Sequence, residues 1–204
     1  MFSFAIDFDE VLADSMTYVL QEYNTMYPIE TLTRDHIVSF DWENLTECVF
    51  TTREESVLFW REILARQNLD DLLPVEGAVA GLRQLSQMGH QIHIITARHH
   101  SNYDNIKLWC EQRFGKIFTS YHTLGKDDPL HRFSKGIYAK NLGITHALDD
   151  GGHNIEEYFK HDIQAYCLNT PWNKNHSLDP SIRVDSWDEF IVKIHHEMNI
   201  GKYS

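Results

Sequence analysis

Acidic residues stand at the ends of two apolar runs in this sequence. Asp7 and Asp9 close the first run, and Asp149 with Asp150 closes a later one. Successive side chains on a strand alternate between faces, so Asp7 and Asp9 are predicted to point to one side where the first strand ends. Carboxylates held this close repel one another, which raises a pKa or requires a cation. Mg²⁺ suits such a cluster, because it takes oxygen ligands and is usually bound through a few carboxylates and a substrate phosphate.

A polar turn after a strand is the alternative interpretation of each acidic pair. For Asp9 and Glu10 alone, the turn and the functional site are equally good explanations. A second pair, at the end of another strand of the same predicted sheet, favours the site, because the carboxyl ends of parallel strands share one crevice.

The run that ends at Thr96 adds groups that could bind a phosphate. Thr96 offers a hydroxyl, the backbone N–H groups after it could hold an anion, and Arg98 is a candidate bidentate donor. Lys135, near the start of a predicted helix, could reach the same crevice as a cation. Lys126 and Lys140 are the nearby alternatives, and position in the chain favours Lys135.

The elements that must position these groups alternate between strand and helix. Five apolar runs are predicted as strands: "MFSFAID", "HQIHIITA", "KIFTSYH", "THALDD" and "IQAYCLN". The segments between and after them have helical spacing: "GAVAGLRQLSQMGH", "YDNIKLWCEQRFG", "SKGIYAKNLG", "NIEEYFKH" and "SWDEFIVKIHHEM". This alternation predicts an α/β fold with a mostly parallel sheet covered by helices on both faces.

Residues 14–73 are expected to be helical and poor in strands. Helices are predicted in "SMTYVLQEYNTMY", "LTRDHIVSF" and "TTREESVLFWREILARQ". Asp14 is the expected N-cap of the first, and Thr51 with Glu54 is the expected capping box of the last. We therefore divide the chain into a core domain, residues 1–13 and 74–204, and a helical insertion at 14–73.

The composition limits the classes of partner. The 204 residues include 18 Lys and Arg against 30 Asp and Glu, a formal net charge of −12. That balance disfavours a nucleic acid polymer or an anionic membrane as the partner. The three cysteines form no CxxC pair, and none of the 13 histidines has the spacing of a zinc site. Without a long apolar run, the protein is expected to be soluble and cytoplasmic.

The order of these motifs resembles a known superfamily. "DFDEV", "IITA", Lys135 and "ALDD" resemble the four motifs of the haloacid dehalogenase superfamily of phosphotransferases. The insertion at 14–73 resembles the C1-type cap of that superfamily, and "LNTPWN" with "IRVDSWDEF" resembles the C-terminal part of the 5'(3')-deoxyribonucleotidase family and its bacterial relatives. The resemblance covers essentially the whole chain and implies a Rossmann-like core.

The resemblance also implies a role for each motif residue. Asp7 would be the nucleophile that forms an aspartyl-phosphate, and Asp9 would be the general acid and base. Mg²⁺ would be held by the Asp7 carboxylate, the Asp9 carbonyl and Asp150, while Asp149 would act from behind them or share the ligand role. The transferring phosphoryl oxygens would be bound by Thr96, the Ala97 amide and Lys135.

Substrate contacts cannot be carried over in the same way. Eukaryotic members of the family tend to have an Arg after the acidic pair, where this chain has Gly151 and Gly152, and Arg98 is a candidate to compensate. Phe8 and Glu10 flank the proposed nucleophile and general acid, and they are further candidates to face the cap and the substrate.

Aromatic residues of the predicted cap could stack on a nucleobase. They are Phe40, Trp42, Phe50, Phe59 and Trp60. Most of them are expected in the core of the cap, and Phe40 and Trp42 are the ones we assign to the substrate.

The sequence therefore predicts a Mg²⁺-dependent phosphomonoesterase acting on a small phosphate ester, with a nucleoside monophosphate favoured over a sugar phosphate. A phosphoacceptor receiver domain uses similar residues in the reverse order and lacks the insertion. A relative that binds a nucleotide without catalysis would not need all six motif residues. The sequence leaves open whether two chains form a homodimer.

Overall fold

The computed structural model of the protein describes residues 1–125 and 134–200. Within these residues six strands form one sheet: β1 Ser3–Ile6, β2 Gln91–Thr96, β3 Ser120–Thr123, β4 His146–Asp149, β5 Gln164–Leu168 and β6 Arg183–Val184. Seven α-helices accompany them: α1 Ser15–Met26, α2 Arg53–Arg66, α3 Ala78–Gln87, α4 Tyr103–Phe114, α5 Lys135–Asn141, α6 Gly152–Lys160 and α7 Trp187–Ile200.

The sheet has the order β3-β2-β1-β4-β5-β6, and every neighbouring pair is parallel. After β1 the chain builds β2 and β3 on one side and β4 to β6 on the other. The order therefore reverses at β1, where an open α/β sheet forms its ligand crevice. This arrangement confirms the predicted α/β fold and places the end of β1 at the crevice.

Two apolar clusters cover the faces of the sheet. One includes Phe4, Ile6 and Trp187, and the other includes Ala5, Ala147 and Ile155. Adjacent strand residues enter opposite clusters, as the alternation of side chains requires. The Trp187 indole also donates to the carbonyl of Val11 at 2.9 Å, which fastens the turn after β1 to α7.

The segment 14–73 has a cluster of its own, and aromatic rings dominate it. Tyr23, Trp42, Phe50 and Phe59 pack together there, joined by Trp172 from beyond β5. Where the segment leaves and rejoins the sheet region its two ends pair: Asp14 N–H donates to the carbonyl of Leu73 at 2.9 Å, and Val75 N–H donates to that of Leu12 at 2.8 Å.

Side chains cap the N-termini of both helices in this segment. Asp14 caps α1 through Thr17 N–H, as predicted. The capping box of α2 is formed by Thr52 and Glu55, so the prediction was one residue early.

The predicted helix in "LTRDHIVSF" is wrong, because only a short 3-10 turn forms there, Arg34–His36. Apolar Leu32 and Ile37 in that run are buried in the segment's cluster without a regular helix. The two-residue strand β6 was not predicted from the sequence. None of the helices in residues 1–125 and 134–200 has the length and apolar character of a membrane span.

Candidate active site

A lysine lies between two carboxylates at the carboxyl edge of the sheet. Lys135 Nζ is 2.8 Å from Asp7 Oδ2 and 2.8 Å from Asp149 Oδ2, and all three side chains are buried. Asp7 follows β1 directly, and its N–H bonds the carbonyl of Leu148 at 3.1 Å, which joins the end of β1 to β4. Lys135 is the first residue of α5.

Close helix packing brings Lys135 to this position. Gly136 follows it, and a Cβ atom there would lie 2.3 Å from the carbonyl oxygen of Glu157 in α6. Only glycine therefore allows α5 to approach α6 so closely. Burial alone would lower the pKa of Lys135, but Asp149 and Asp7 raise it well above its usual value. The lysine is a permanent cation in this site.

The two acids after β4 are held differently. Asp149 accepts hydrogen bonds on Oδ1 from Gly151 N–H at 2.8 Å and from Asn154 Nδ2 at 2.9 Å, in addition to Lys135 on Oδ2. Asp150 Oδ2 accepts from the Trp172 indole at 2.7 Å. Asp149 thus has protein donors on both oxygens.

Three carboxylates are close enough to share a metal ion. One oxygen from each of Asp7, Asp149 and Asp150 lies within 4.8 Å of the others. An all-oxygen set fits a hard divalent cation rather than a soft one. Burial raises the pKa of Asp7 well above its usual range, Lys135 opposes the rise, and the neighbouring acids add to it. Burial and Asp149 likewise raise the pKa of Asp150. A bound cation would relieve this repulsion.

Asp9 is paired with a buried arginine. Arg98 Nε donates to Asp9 Oδ2 at 2.9 Å and Nη2 donates to Oδ1 at 2.6 Å, and Ser15 Oγ donates to Oδ1 at 2.5 Å. Burial alone would raise the pKa of Asp9, but Arg98 outweighs it and lowers the pKa. The sequence suggested Arg98 as a phosphate ligand, whereas the structure places its guanidinium against Asp9.

Thr96 and Ala97 lie at the carboxyl end of β2 and line the same cleft as Asp7 and Lys135. Thr96 is buried, and its hydroxyl accepts from Arg98 N–H at 3.2 Å, while Ala97 is exposed. The motif residues named from the sequence are therefore brought together around one space.

That space is a cleft of about 450 Å³ between the sheet edge and the segment 14–73. Its second wall is aromatic and includes Phe40, Trp42, Trp60 and Trp172. Phe40 is 50% exposed, with its ring 6.1 Å from that of Trp172, so it is available to a ligand. Trp42 is fully buried, and Phe50 and Phe59 pack around it.

Two residues singled out from the sequence have other roles. The Phe8 ring is fully buried, 5.2 Å from that of Trp109, so the expectation that it faces the cap is wrong. The reason is the same alternation that turns Asp7 and Asp9 toward the cleft. Glu10 does reach the cleft, but its carboxylate is bonded by Arg34 and by Met16 N–H. Burial raises the pKa of Glu10 to about 7, with Arg34 opposing.

Trp172 was not recognised as a site residue from the sequence. It starts no strand or long helix, and only its place in "LNTPWN" could have marked it. Asn154 was not recognised either; it lies within α6, and its side-chain amide donates to Asp149. Lys140 pairs with exposed Asp162 at 3.0 Å, and Lys126 lies outside the described residues.

Known proteins share this sequence pattern. The family model described as "5' nucleotidase, deoxy (Pyrimidine), cytosolic type C protein" matches residues 2–196. A Bacillus cereus protein named "Putative nucleotidase" is 24% identical over 195 residues, which are 96% of this chain and 99% of that one. A protein of the same description from Oceanobacillus iheyensis is 22% identical over 138 residues, 68% of this chain and 70% of that one.

Solved structures share the fold at low identity. A haloacid dehalogenase-like hydrolase from Streptococcus pneumoniae superposes with a TM-score of 0.66 at 11% identity, covering 95% of this chain and 98% of that one. A Lactobacillus delbrueckii protein described as "putative phosphoglycolate phosphatase" superposes with a TM-score of 0.64 at 14% identity, covering 95% and 97%. Since the family model spans nearly the whole chain, the chain belongs to the family described as cytosolic type C 5' nucleotidase.

Proposed function

We propose that the protein is a Mg²⁺-dependent phosphomonoesterase that hydrolyses a nucleoside monophosphate through an aspartyl-phosphate on Asp7. The observation that carries the proposal is the placement of Lys135 between Asp7 and Asp149 at the switch point of the sheet. A carboxylate nucleophile divides one difficult displacement into two easier ones, and a buried cation neutralises charge on the transferring phosphoryl group.

The proposed reaction has two steps. In the first, an Asp7 carboxylate oxygen attacks phosphorus, the bond to the ester oxygen breaks, and Asp9 gives a proton to the leaving alcohol. In the second, Asp9 takes a proton from water, the water oxygen attacks phosphorus, and the bond to Asp7 breaks to release phosphate. Lys135, the Thr96 hydroxyl and the Ala97 N–H hold the phosphoryl oxygens in both steps.

The carboxylates of Asp7 and Asp150, with the Asp9 carbonyl, are the proposed Mg²⁺ ligands. Bound there, the ion would supply positive charge to the phosphoryl oxygens. Asp149 already accepts from Lys135, Asn154 and Gly151, so we assign it to orienting the lysine.

The cleft supports a substrate with a flat apolar part. We propose that the segment 14–73 is a cap over the core formed by residues 1–13 and 74–204, and that Phe40 is its exposed aromatic contact. The B. cereus and O. iheyensis relatives are named as nucleotidases. A non-nucleotide ester is the second candidate, since the L. delbrueckii protein of the same fold is described as a phosphoglycolate phosphatase.

A phosphate-release screen tests the proposal. Nucleoside monophosphates, sugar phosphates and phosphorylated alcohols are assayed with Mg²⁺ or with EDTA, beside the variants Asp7→Asn and Asp9→Asn. We expect release from nucleoside monophosphates that needs Mg²⁺, is abolished in Asp7→Asn and is lowered by about 10²–10⁴-fold in Asp9→Asn. Turnover of sugar phosphates alone would overturn the nucleotidase assignment, and turnover by Asp7→Asn would overturn the mechanism.

A further inference from the structure

Arg98 is a buried side chain near the cleft that the two-step reaction does not use. It is 5% exposed, and its guanidinium lies over the Phe8 ring at 5.1 Å from the centroid. The buried Phe8 ring therefore packs against the guanidinium and supports its position.

The guanidinium bonds both oxygens of Asp9. Nε faces Oδ2 at 2.9 Å and Nη2 faces Oδ1 at 2.6 Å, a two-pronged geometry that sets both the position and the rotation of a carboxylate. The two residues are 89 positions apart in the chain. Arg98, which follows β2, thus holds Asp9, which follows β1.

The Nη2 atom of Arg98 also contacts two residues of the segment 14–73, one at the start of α1 and one at the end of α2. Arg98 Nη2 lies 2.6 Å from Oε1 of Gln67, which ends α2, and 3.3 Å from Oγ of Ser15, which begins α1. The Ser15 hydroxyl in turn donates to Asp9. One guanidinium therefore contacts the proposed acid and base together with the start of α1 and the end of α2.

We propose that Arg98 is a positioning residue that fixes the Asp9 carboxylate for proton transfer and ties its orientation to helices α1 and α2 of the cap. The inference rests on the proposed function, because it assigns Arg98 to the step in which Asp9 takes a proton from water. It differs from a role in binding phosphate, which would make Arg98 a direct substrate ligand.

p-Nitrophenyl phosphate is the probe that separates the two steps. Its leaving group departs as an anion and needs no proton, so the bond from Asp7 to phosphorus forms and the ester bond breaks without help from Asp9. In the second step water still loses a proton to Asp9 as the bond from phosphorus to Asp7 breaks. A defect in positioning Asp9 must therefore slow only the second step.

Stopped-flow release of p-nitrophenol and acid-quench trapping of the aspartyl-phosphate measure the two steps in Arg98→Gln. We expect an unchanged burst rate, accumulation of the phosphoenzyme and a turnover number lower by about 10- to 100-fold, a share of the roughly 10²–10⁴ that a positioned acid or base contributes. A raised KM with an unchanged turnover number would overturn the proposal, because it would show that Arg98 binds phosphate.

A double-mutant cycle separates positioning from a general structural role. In the Asp9→Asn background, Arg98→Gln should cause no further loss, because its effect passes through Asp9. An equal additional loss would overturn the proposal. Arg113→Gln is the matched control, since that guanidinium also lies over an aromatic ring, Trp109 at 5.7 Å, but away from the cleft, and this variant should keep wild-type rates.

Arg98→Lys covers the case in which Arg98→Gln fails to fold. A lysine keeps the charge and the stem but cannot bond both Asp9 oxygens and Gln67 together. It should show the same phosphoenzyme accumulation, and wild-type hydrolysis of the phosphoenzyme by Arg98→Lys would overturn the proposal. A wild-type protein that turns over no ester overturns the proposed function and this inference together, whereas an active wild type with an unaffected Arg98→Gln overturns this inference alone.

Discussion

At the carboxyl edge of the sheet one lysine pairs with two carboxylates and a third lies beside them, whereas near the amino edge one carboxylate is shared by a histidine and a tyrosine. Glu197 of α7 accepts from His146 Nε2 at 2.9 Å, at the start of β4, and from the Tyr166 hydroxyl in β5. Thr145 Oγ1 lies 2.8 Å from the other nitrogen of His146. Strand β4 contributes to both edges, through His146 at its start and Asp149 at its end.

The difference lies in how the charges are balanced. At the amino edge one negative group has two donors, which is how a buried polar group stabilises a fold. At the carboxyl edge the pKa of Asp7 and that of Asp150 are raised by burial and by their acidic neighbours, so this edge is held under repulsion. We expect that the amino edge serves stability and that, under the proposed function, the carboxyl edge serves catalysis at some cost in stability. Substitutions at the carboxyl edge should therefore reduce activity without reducing stability. Substitutions at the amino edge should reduce stability without reducing activity.

The largest expected effect is on activity at the carboxyl edge. Asp7→Asn should abolish phosphate release, because an amide cannot form the aspartyl-phosphate, while the melting temperature without metal stays the same or rises as repulsion falls. Activity and thermal unfolding are measured together. Asp162→Asn, the same change at an exposed acid, is the control and should alter neither. A lower melting temperature with activity retained would show that Asp7 serves stability and not catalysis.

Metal binding should relieve the repulsion between the carboxylates and so stabilise the folded protein. Mg²⁺ at 100 times its dissociation constant is expected to raise the free energy of unfolding by about 2.7 kcal/mol, because it binds only the folded site. Urea unfolding with Mg²⁺ or with EDTA measures the gain. Asp150→Asn should lose most of it, and an equal gain in that variant would show that the ion binds elsewhere.

A loss of stability alone is expected at the amino edge. Glu197→Ala leaves His146 and Tyr166 without their acceptor, which should lower the free energy of unfolding by roughly 1–3 kcal/mol and leave the turnover number unchanged. The matched control is Glu156→Ala, which removes a His–Glu pair of the same 2.9 Å length from the surface. That pair should contribute little. Loss of turnover in Glu197→Ala would show that the edges are coupled.

The smallest effect is a change in the acid dependence of stability. Burial alone would raise the pKa of Glu197, but the hydrogen bonds from His146 and Tyr166 lower it below its ordinary 4.5. The unfolded chain then binds more protons, so this contribution is complete above pH 4.5 and is lost as the pH falls through the lowered pKa. Glu197→Gln should flatten the fall of unfolding free energy below pH 4.5, and an unchanged slope would contradict the prediction.

The sequence predicted the features that local patterns control. Asp7, Thr96 and Asp149 follow apolar runs whose strand character is clear, so the sheet and the gathering of these residues could be anticipated. Phe8 was misassigned although the alternation that paired Asp7 with Asp9 also turns it inward. The missing helix at Leu32–Phe40 shows that buried apolar residues need no regular element when an aromatic cluster receives them.

Contacts across long distances in the chain could not be anticipated. Arg98 follows a phosphate-binding type of motif, and nothing near it in the sequence indicates that Asp9, 89 residues away, is its partner. Trp172 is similar: it lies in a 3-10 turn beyond β5, and nothing near it in the sequence indicates that Asp150 is its partner. The roles of such residues follow from the fold as a whole.

Trp172 limits how far the segment 14–73 can be treated as an exchangeable module. Its ring belongs to that segment's aromatic cluster, with Arg34 stacked 5.2 Å from the ring centroid, while its N–H bonds Asp150. Excising the segment, or grafting one from a relative, would strip the packing from this indole and loosen the carboxylate that it holds. An exchange of this segment between relatives must therefore include the residues that pack against Trp172.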